Sequence, residues 1–435
     1  MSSLAALGHF KQAKRHAGRA AKVGANDAFM ADMIGFVYSR AGDHETAIPF
    51  FQDAVARDPK WPLFQFNLGA SAEFLGDFDT ARSAYAGAVQ ANPKFYRGWF
   101  ALAALEKQTA DNNRLADLEA IYAGLSGDAD AQLLIGHAIA KTLEDLGRYE
   151  DSYDWLEICK AAKREDVGFE RDELSKSFKL VSARSGPPKA PQTPPTNEAP
   201  IFIVGLPRTG TTLVDRIISA HSKVISGGEL GMFANLLKQR TGTPSDFIMD
   251  ARTAIGAANV DLAELGRTFM EQTRHIAPEG DRLTDKTTLN FFYAGAIHSA
   301  LPNARIIAVR RGAMDSCLSN FRQLFATENL NYDYSFDIED IAALYRDYDG
   351  LMTHWQSSLP KSRFMQVGYE DIINDQETQT RRLLDFSGLD FEQACLNFQD
   401  NTAAVSSASA VQVRQPLYAG SIGRWKKYGD KKKKK

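Results

Sequence analysis

Apolar and small positions recur every 34 residues through the first third of the chain. The stretches AGDHETAIPFFQDAVARDPK and LGDFDTARSAYAGAVQANPK align without a gap, so Gly42 and Gly76 lie 34 residues apart, as do Pro59 and Pro93, and Gly8 and Gly42. One period carries Gly35, Tyr38, Gly42, Ala47, Phe51, Ala54 and Pro59; the next carries Gly69, Gly76, Ala81, Tyr85, Ala88 and Pro93. This spacing predicts paired helices. Small residues let the two helices approach, large rings fill the space between units, and proline ends the second helix because it cannot continue the hydrogen-bond ladder. Segments 95–127 and 128–164 keep a weaker form of the pattern, with the turn retained in LGRYEDSYDWL (Leu146 to Leu156). A single pair cannot bury its own apolar face, so the units must stack. The stack either offers a groove to a partner chain or only supports the second domain.

The pattern then changes twice. Ser185 to Pro200, SGPPKAPQTPPTNEAP, holds six prolines in sixteen residues, which excludes helix and sheet interior and predicts an extended linker or a strap along the surface. From Ala199 onward, short β-rich runs such as IFIVG and ARIIAVRR alternate with helical patterns such as TTLVDRIISAH and QTRRLLDFSG. That alternation predicts a parallel sheet covered by helices, with ligands at the carboxyl ends of its strands. The 34-residue period is that of tetratricopeptide repeats. The chain thus reads as an all-α repeat solenoid over 1–184, a proline-rich linker over 185–198, a P-loop-like α/β domain with a central parallel sheet over 199–430, and a solvated lysine tail over 431–435.

Composition changes this picture little. At 435 residues the chain is too long for one ordinary core, and 44% hydrophobic with 24% charged residues suits a globular protein. A net charge of -3 gives no case for nucleic-acid binding. Cys159, Cys317 and Cys395 are far apart and form no CxxC, which argues against a disulfide framework or a structural zinc site. The sequence holds no run of 18 apolar residues, so the expectation is a cytoplasmic protein without a membrane span.

The chemistry concentrates in IFIVGLPRTGTTLVDRII, Ile201 to Ile218. Gly205 and Gly210 have the spacing of a Walker A loop, but Thr211 stands where its lysine belongs. Gly205 suits a sharp turn at a strand end. Gly210 lets backbone approach a phosphate, and Thr211 and Thr212 open a helix whose N–H groups and dipole favour an anion. Arg208 is the cation in the turn. Without the lysine and without a Walker B aspartate, a metal-free ligand carrying less charge than ATP fits best.

FIVGLPRTGTT resembles the 5′-phosphosulfate loop of sulfotransferases that use 3′-phosphoadenosine 5′-phosphosulfate (PAPS). It looks most like the branch that holds tyrosylprotein sulfotransferases and bacterial sulfotransferases with tetratricopeptide repeats. The resemblance covers roughly residues 199–430 and implies donor contacts from Arg208, Thr209, Gly210, Thr211 and Thr212. In VRRGAMDSCLSNF, Arg311 has the family's eight-residue spacing to Ser319, and it is preferred to Arg310 for the 3′-phosphate. VGYEDI is similar to the family's strand with a tyrosine next to the adenine, which implies that role for Tyr369. SASAVQVRQPLYAGSIGRWKKYGD is similar to the family's C-terminal segment over the donor, with Ser409, Arg414 and Arg424 as contacts; Trp425 and Tyr428 are read as core.

The resemblance also implies the reaction. The acceptor oxygen attacks sulfur in line, and PAP leaves as product. In ISGGELGMF, Glu229 matches the branch's glutamate base and is preferred to His221, which sits where a histidine can cap a helix end. In RLTDKTTLNFF, Lys286 matches the lysine that neutralises charge in the transition state, with Arg208 beside it. Asp285 is left either holding that lysine or capping a helix. Acceptors consistent with this are a peptide or protein tyrosine, or a carbohydrate, lipid or small-molecule hydroxyl. A catalytically dead repeat-bearing binding module and a nucleoside-triphosphate kinase are the rival readings. The stretch Ala326 to Trp355 reads as an acceptor wall or as two surface helices with an apolar face.

Overall fold

Aspartates at fixed offsets start the helices of the first part of the chain. Asp27, Asp43, Asp77 and Asp128 each accept a backbone N–H from the residue three positions on, and each such cap stabilises its helix by about 1 kcal/mol. The computed structural model describes residues 10–24, 27–184, 194–278, 280–401, 417 and 419–429. It divides into two compact units, Met1–Asp166 and Val167–Lys435.

The first unit runs through α1 (Phe10–Val23), α2 (Ala28–Arg40), α3 (His44–Arg57), α4 (Pro62–Leu75), α5 (Phe78–Ala91), α6 (Tyr96–Leu105), α7 (Leu115–Ala123), α8 (Ala129–Asp145) and α9 (Tyr149–Val167). The repeat's glycines act by close approach. A Cβ on Gly35 would stand 2.8 Å from the Phe51 ring, and one on Gly69 2.7 Å from the Tyr85 ring. Each ring therefore packs directly against its partner helix, and only hydrogen fits between.

The second unit begins earlier than the sequence pattern suggests. Helix α10 (Arg171–Arg184) belongs to it. Its Arg171 pairs with Asp340 at 2.5 Å, and its Phe178 ring lies 5.2 Å from that of Phe292. Residues 194–200 form a strap: Arg267 donates to the Pro194 carbonyl at 2.8 Å, and Glu198 pairs with Arg274 at 2.6 Å. Residues 185–193 and the lysine tail lie outside the described residues.

Next in the chain come β1 (Ile201–Val204), α11 (Thr211–Ser219), β2 (Val224–Ser226), α12 (Met232–Thr241), α13 (Ala251–Gly256), α14 (Leu262–Thr273), β3 (Arg282–Asp285), α15 (Ala294–Ala300), β4 (Arg305–Arg310), α16 (Ala313–Arg322), α17 (Ile338–Ser358), β5 (Phe364–Gly368), α18 (Tyr369–Asn374) and α19 (Gln376–Ser387). The five strands are parallel, in the order β2-β3-β1-β4-β5. Strand β1 is central and buried on both faces, which is why it reads as an unbroken apolar run. Ile201 and Ile203 join Val214, Ile217, Ile307 and Leu383 in one cluster. Phe202 points to the opposite face, where its ring lies 5.9 Å from Phe233 and 5.6 Å from Phe269.

The 326–355 stretch is not two surface helices. It is a 3-10 turn (Leu330–Phe336) followed by the 21-residue α17, which buries Ile341, Leu344, Tyr348, Leu351, Met352 and Trp355 at helical spacing. Among the described residues, no helix is long and apolar enough to cross a membrane.

Candidate active site

The carboxyl ends of all five strands feed one neighbourhood, because parallel strands finish at the same edge. After β1 comes the loop from Gly205 to Gly210; after β2, Glu229; after β3, Lys286; after β4, Arg311; after β5, Tyr369.

The loop is held by one internal bond and by partners outside it. The Gly205 N–H donates to the Thr288 carbonyl at 3.0 Å. The Thr209 hydroxyl donates to Leu206 O at 2.7 Å, Asn320 Nδ2 to Pro207 O at 2.8 Å, and Arg311 Nη1 to Arg208 O at 3.0 Å. In a trans peptide the N–H points opposite to its carbonyl, so these bonds aim the Arg208 and Thr209 amides away from those partners. Arg208 has φ 66, the single left-handed non-glycine among the described residues. Such a conformation costs on the order of 1–3 kcal/mol and persists where surrounding contacts impose it. Gly210 (φ 101) precedes α11 and supplies no side-chain cap. A Cβ there would stand 2.5 Å from the Tyr369 ring. The ring closes one side of the loop, and the helix keeps an N-terminus suited to an anion. Thr211 and Thr212 are buried at the helix start.

The two arginines that end β4 diverge. Arg310 is committed to Asp349 and to Gln366, the latter at 2.9 Å. Arg311 faces the loop. Besides Arg208 O it donates through Nη2 to Ser421 O at 2.6 Å, and its guanidinium lies 5.0 Å from the Tyr369 ring centroid. Its Nε is buried with no partner, an orphaned donor that an anion would satisfy. Tyr369 also meets the Ser421 hydroxyl at 2.7 Å. Ser319 is half-buried on α16, one residue before Asn320.

Glu229 and Lys286 form an ion pair at 2.5 Å. The lysine side chain is 4% exposed and the glutamate 40%, so the cation is rooted in the fold while the carboxylate faces outward. Lys286 N–H donates to Gly228 O at 2.8 Å, which fixes the glutamate-bearing turn to the end of β3. Asp285 does not hold the lysine. Its Oδ1 accepts both the N–H and the hydroxyl of Thr287, at 2.9 and 2.6 Å, and Thr287 Oγ1 in turn accepts Gly231 N–H at 2.9 Å. Burial pushes the Asp285 carboxyl up to about 6, against the opposing hydrogen bonds from Thr287. His221 is used structurally: Nδ1 accepts Lys223 N–H at 3.0 Å, leaving Nε2 to donate to Asp390 O at 3.1 Å.

Three contributors escaped the sequence reading. Asn320 bridges the loop and Tyr334, whose hydroxyl donates to its Oδ1 at 3.0 Å. Asp215 on α11 accepts from Thr284 Oγ1 at 2.6 Å and Ser226 Oγ at 2.8 Å, tying the loop helix to β3 and β2; burial raises its carboxyl despite those bonds. Its one sequence signal is a lone acid in the apolar run TTLVDRII. Asp315 accepts Gly423 N–H at 2.6 Å and Trp425 N–H at 3.2 Å, holding the turn that carries Arg424. In that turn Tyr428 is buried and Trp425 half-buried. Ser409 and Arg414 lie outside the described residues. Among those residues, no group of three or more histidine, cysteine, aspartate or glutamate side chains could hold a metal ion.

Comparison with known proteins points to sulfotransferases. Residues 200–393 match the model of the sulfotransferase family, and residues 31–60 that of a tetratricopeptide repeat. The chain is thus similar to a sulfotransferase domain preceded by tetratricopeptide repeats. An uncharacterized protein of Aquifex aeolicus (strain VF5) is 24% identical over 81% of this chain and 47% of its own length. Protein-tyrosine sulfotransferase A of Caenorhabditis elegans is 23% identical over 52% of the chain and 60% of its own length. The protein-tyrosine sulfotransferase of Drosophila melanogaster is 24% identical over 52% and 46%. The chain thus spans about half the length of these curated relatives. The sulfotransferase domain from the Synechococcus PCC 7002 olefin synthase superposes with a TM-score of 0.40 at 17% identity, covering 55% of this chain and 91% of that one. So loose a superposition adds nothing to the sheet order and its strand-end site. The matched span runs from the strap before β1 to the turn after α19, and so contains the loop, Glu229, Lys286, Arg311 and Tyr369.

Proposed function

We propose that this chain transfers the sulfuryl group of PAPS to an acceptor hydroxyl, and that the acceptor is a phenol such as a peptide or protein tyrosine. The observation that carries the reading is the convergence of five strand ends on an uncapped helix N-terminus beside the Glu229–Lys286 pair. Two of the matched relatives bear the name protein-tyrosine sulfotransferase, which supports the phenol.

In this reading Arg208, the loop amides and Thr209 to Thr212 hold the 5′-phosphosulfate. Arg311, through its orphaned Nε, and Ser319 hold the 3′-phosphate, Tyr369 lies against the adenine, and Ser409, Arg414 and Arg424 complete the donor site. Glu229 takes the acceptor proton. The acceptor oxygen then forms its bond to sulfur while the bond from sulfur to the bridging phosphate oxygen breaks, and that oxygen leaves with the electron pair on PAP. Lys286 neutralises the charge that builds there. Positioned cations suffice for a transfer in which charge spreads over equatorial oxygens. In the repeats, Phe29, Met33 and Phe36 are exposed along one face of α2 and offer a partner or acceptor chain an apolar stripe.

The test combines turnover with binding. Glu229→Ala and Lys286→Ala should each lower sulfuryl transfer to a tyrosyl peptide on the order of 10²-fold or more, and Glu229→Ala should retain wild-type PAP affinity by calorimetry. Wild-type turnover in Glu229→Ala would remove the base assignment.

A further inference from the structure

We propose that Phe325 and Tyr332 form the wall that receives the ring of an aryl acceptor beside Glu229. This rests on the proposed sulfuryl transfer and adds to it what selects the acceptor. The two rings stack at 4.5 Å with 15° between their planes, and both residues are half-buried, so the stack is partly accessible.

The segment that carries them is fixed to the donor loop and not left to drift. Tyr334, two residues beyond Tyr332, donates to Asn320, and Asn320 donates to Pro207 of the loop. On the other side, Asn331 accepts Ile248 N–H at 2.5 Å and donates to Asp246 O at 3.2 Å. Tyr332 therefore sits between two anchored neighbours. It also lies within electrostatic reach of Glu229: burial first, and then the glutamate charge, push its hydroxyl up to about 12. It remains a neutral donor at working pH. The charge of the exposed member of the Glu229–Lys286 pair thus reaches Tyr332 of the stack. Aromatic faces orient another ring by offset or edge contact and give an alkyl chain no comparable direction. An exposed carboxylate is also a better match for a phenol near 10 than for an alkyl hydroxyl.

Full-length protein, labelled PAPS and two peptides that differ only in tyrosine or serine at one position test this. The wild type should label the tyrosine peptide in preference to the serine peptide. Phe325→Ala and Tyr332→Ala should raise KM for the tyrosine peptide by roughly tenfold, with kcat and PAP affinity unchanged, because the wall binds the ring and takes no part in the bond changes. Tyr332→Phe should keep the wild-type KM. Unchanged KM in the alanine variants, or an equal loss toward both peptides, overturns the proposal. If an alanine variant fails to fold, Phe325→Leu keeps the volume without the ring and carries the same expectation. A wild type that labels serine as readily as tyrosine rejects the wall while leaving sulfuryl transfer standing. A wild type that neither binds PAP nor transfers label rejects the transfer reading itself.

Discussion

Arg310 and Arg311 are neighbours in the chain and strangers in the fold. Side chains at a strand end leave in opposite directions, so Arg310 finds Asp349 and Gln366 while Arg311 finds the loop after β1. Spacing to Ser319 pointed toward Arg311, but the reason lies in partners 39 and 56 residues beyond Arg310. Asp285 shows the same limit. Its sequence context allowed a lysine partner or a cap, and only the folded turn reveals that it organises Thr287 and, through it, Gly231. Its burial has a measurable consequence. A carboxyl raised from 3.8 to about 6 binds its proton more tightly when folded. The stability it contributes is therefore greatest below about 4 and is lost as pH rises through about 6, a change of about 3 kcal/mol. Asp285→Asn keeps an oxygen for Thr287 but cannot titrate. Denaturant midpoints should show the wild type gaining stability relative to Asp285→Asn between pH 7 and pH 4. A constant difference across that range would contradict the assignment.

At the scale of elements, the repeats were the most legible part of the chain because their rule is local. A glycine and a ring separated by sixteen residues face each other in one helix pair, as Gly35 with Phe51 and Gly69 with Tyr85. Gly69→Val should drive a branched side chain into Tyr85 and cost about 1–3 kcal/mol, seen as a lower melting temperature of the first unit. No change in melting would mean that the ring can move aside. Helix α10 was illegible for the opposite reason. Nothing in RDELSKSFKLVSAR distinguishes it from a repeat helix, since the groups that hold it, Phe292 and Asp340, are more than a hundred residues away. The stack of Phe325 and Tyr332 was visible only as an aromatic-rich stretch; Asn320 and Asn331 anchor the segment that carries it to residues far off in the chain.

At the scale of the whole molecule, the strand-and-helix alternation predicted a parallel sheet but not its order. With β1 at the centre, flanked by β3 and β4, pairing depends on contacts across eighty to a hundred residues, which a local pattern does not encode. That order brings five strand ends to one edge, and the central claim is that this edge moves a sulfuryl group. The direct measurement supplies purified full-length protein with ³⁵S-labelled PAPS and a tyrosine-containing peptide, then follows label in the peptide and PAP in solution together. The account predicts one PAP for each label transferred, with both lost in Glu229→Ala. Donor that binds but yields neither product, or label released only as free sulfate, would contradict it.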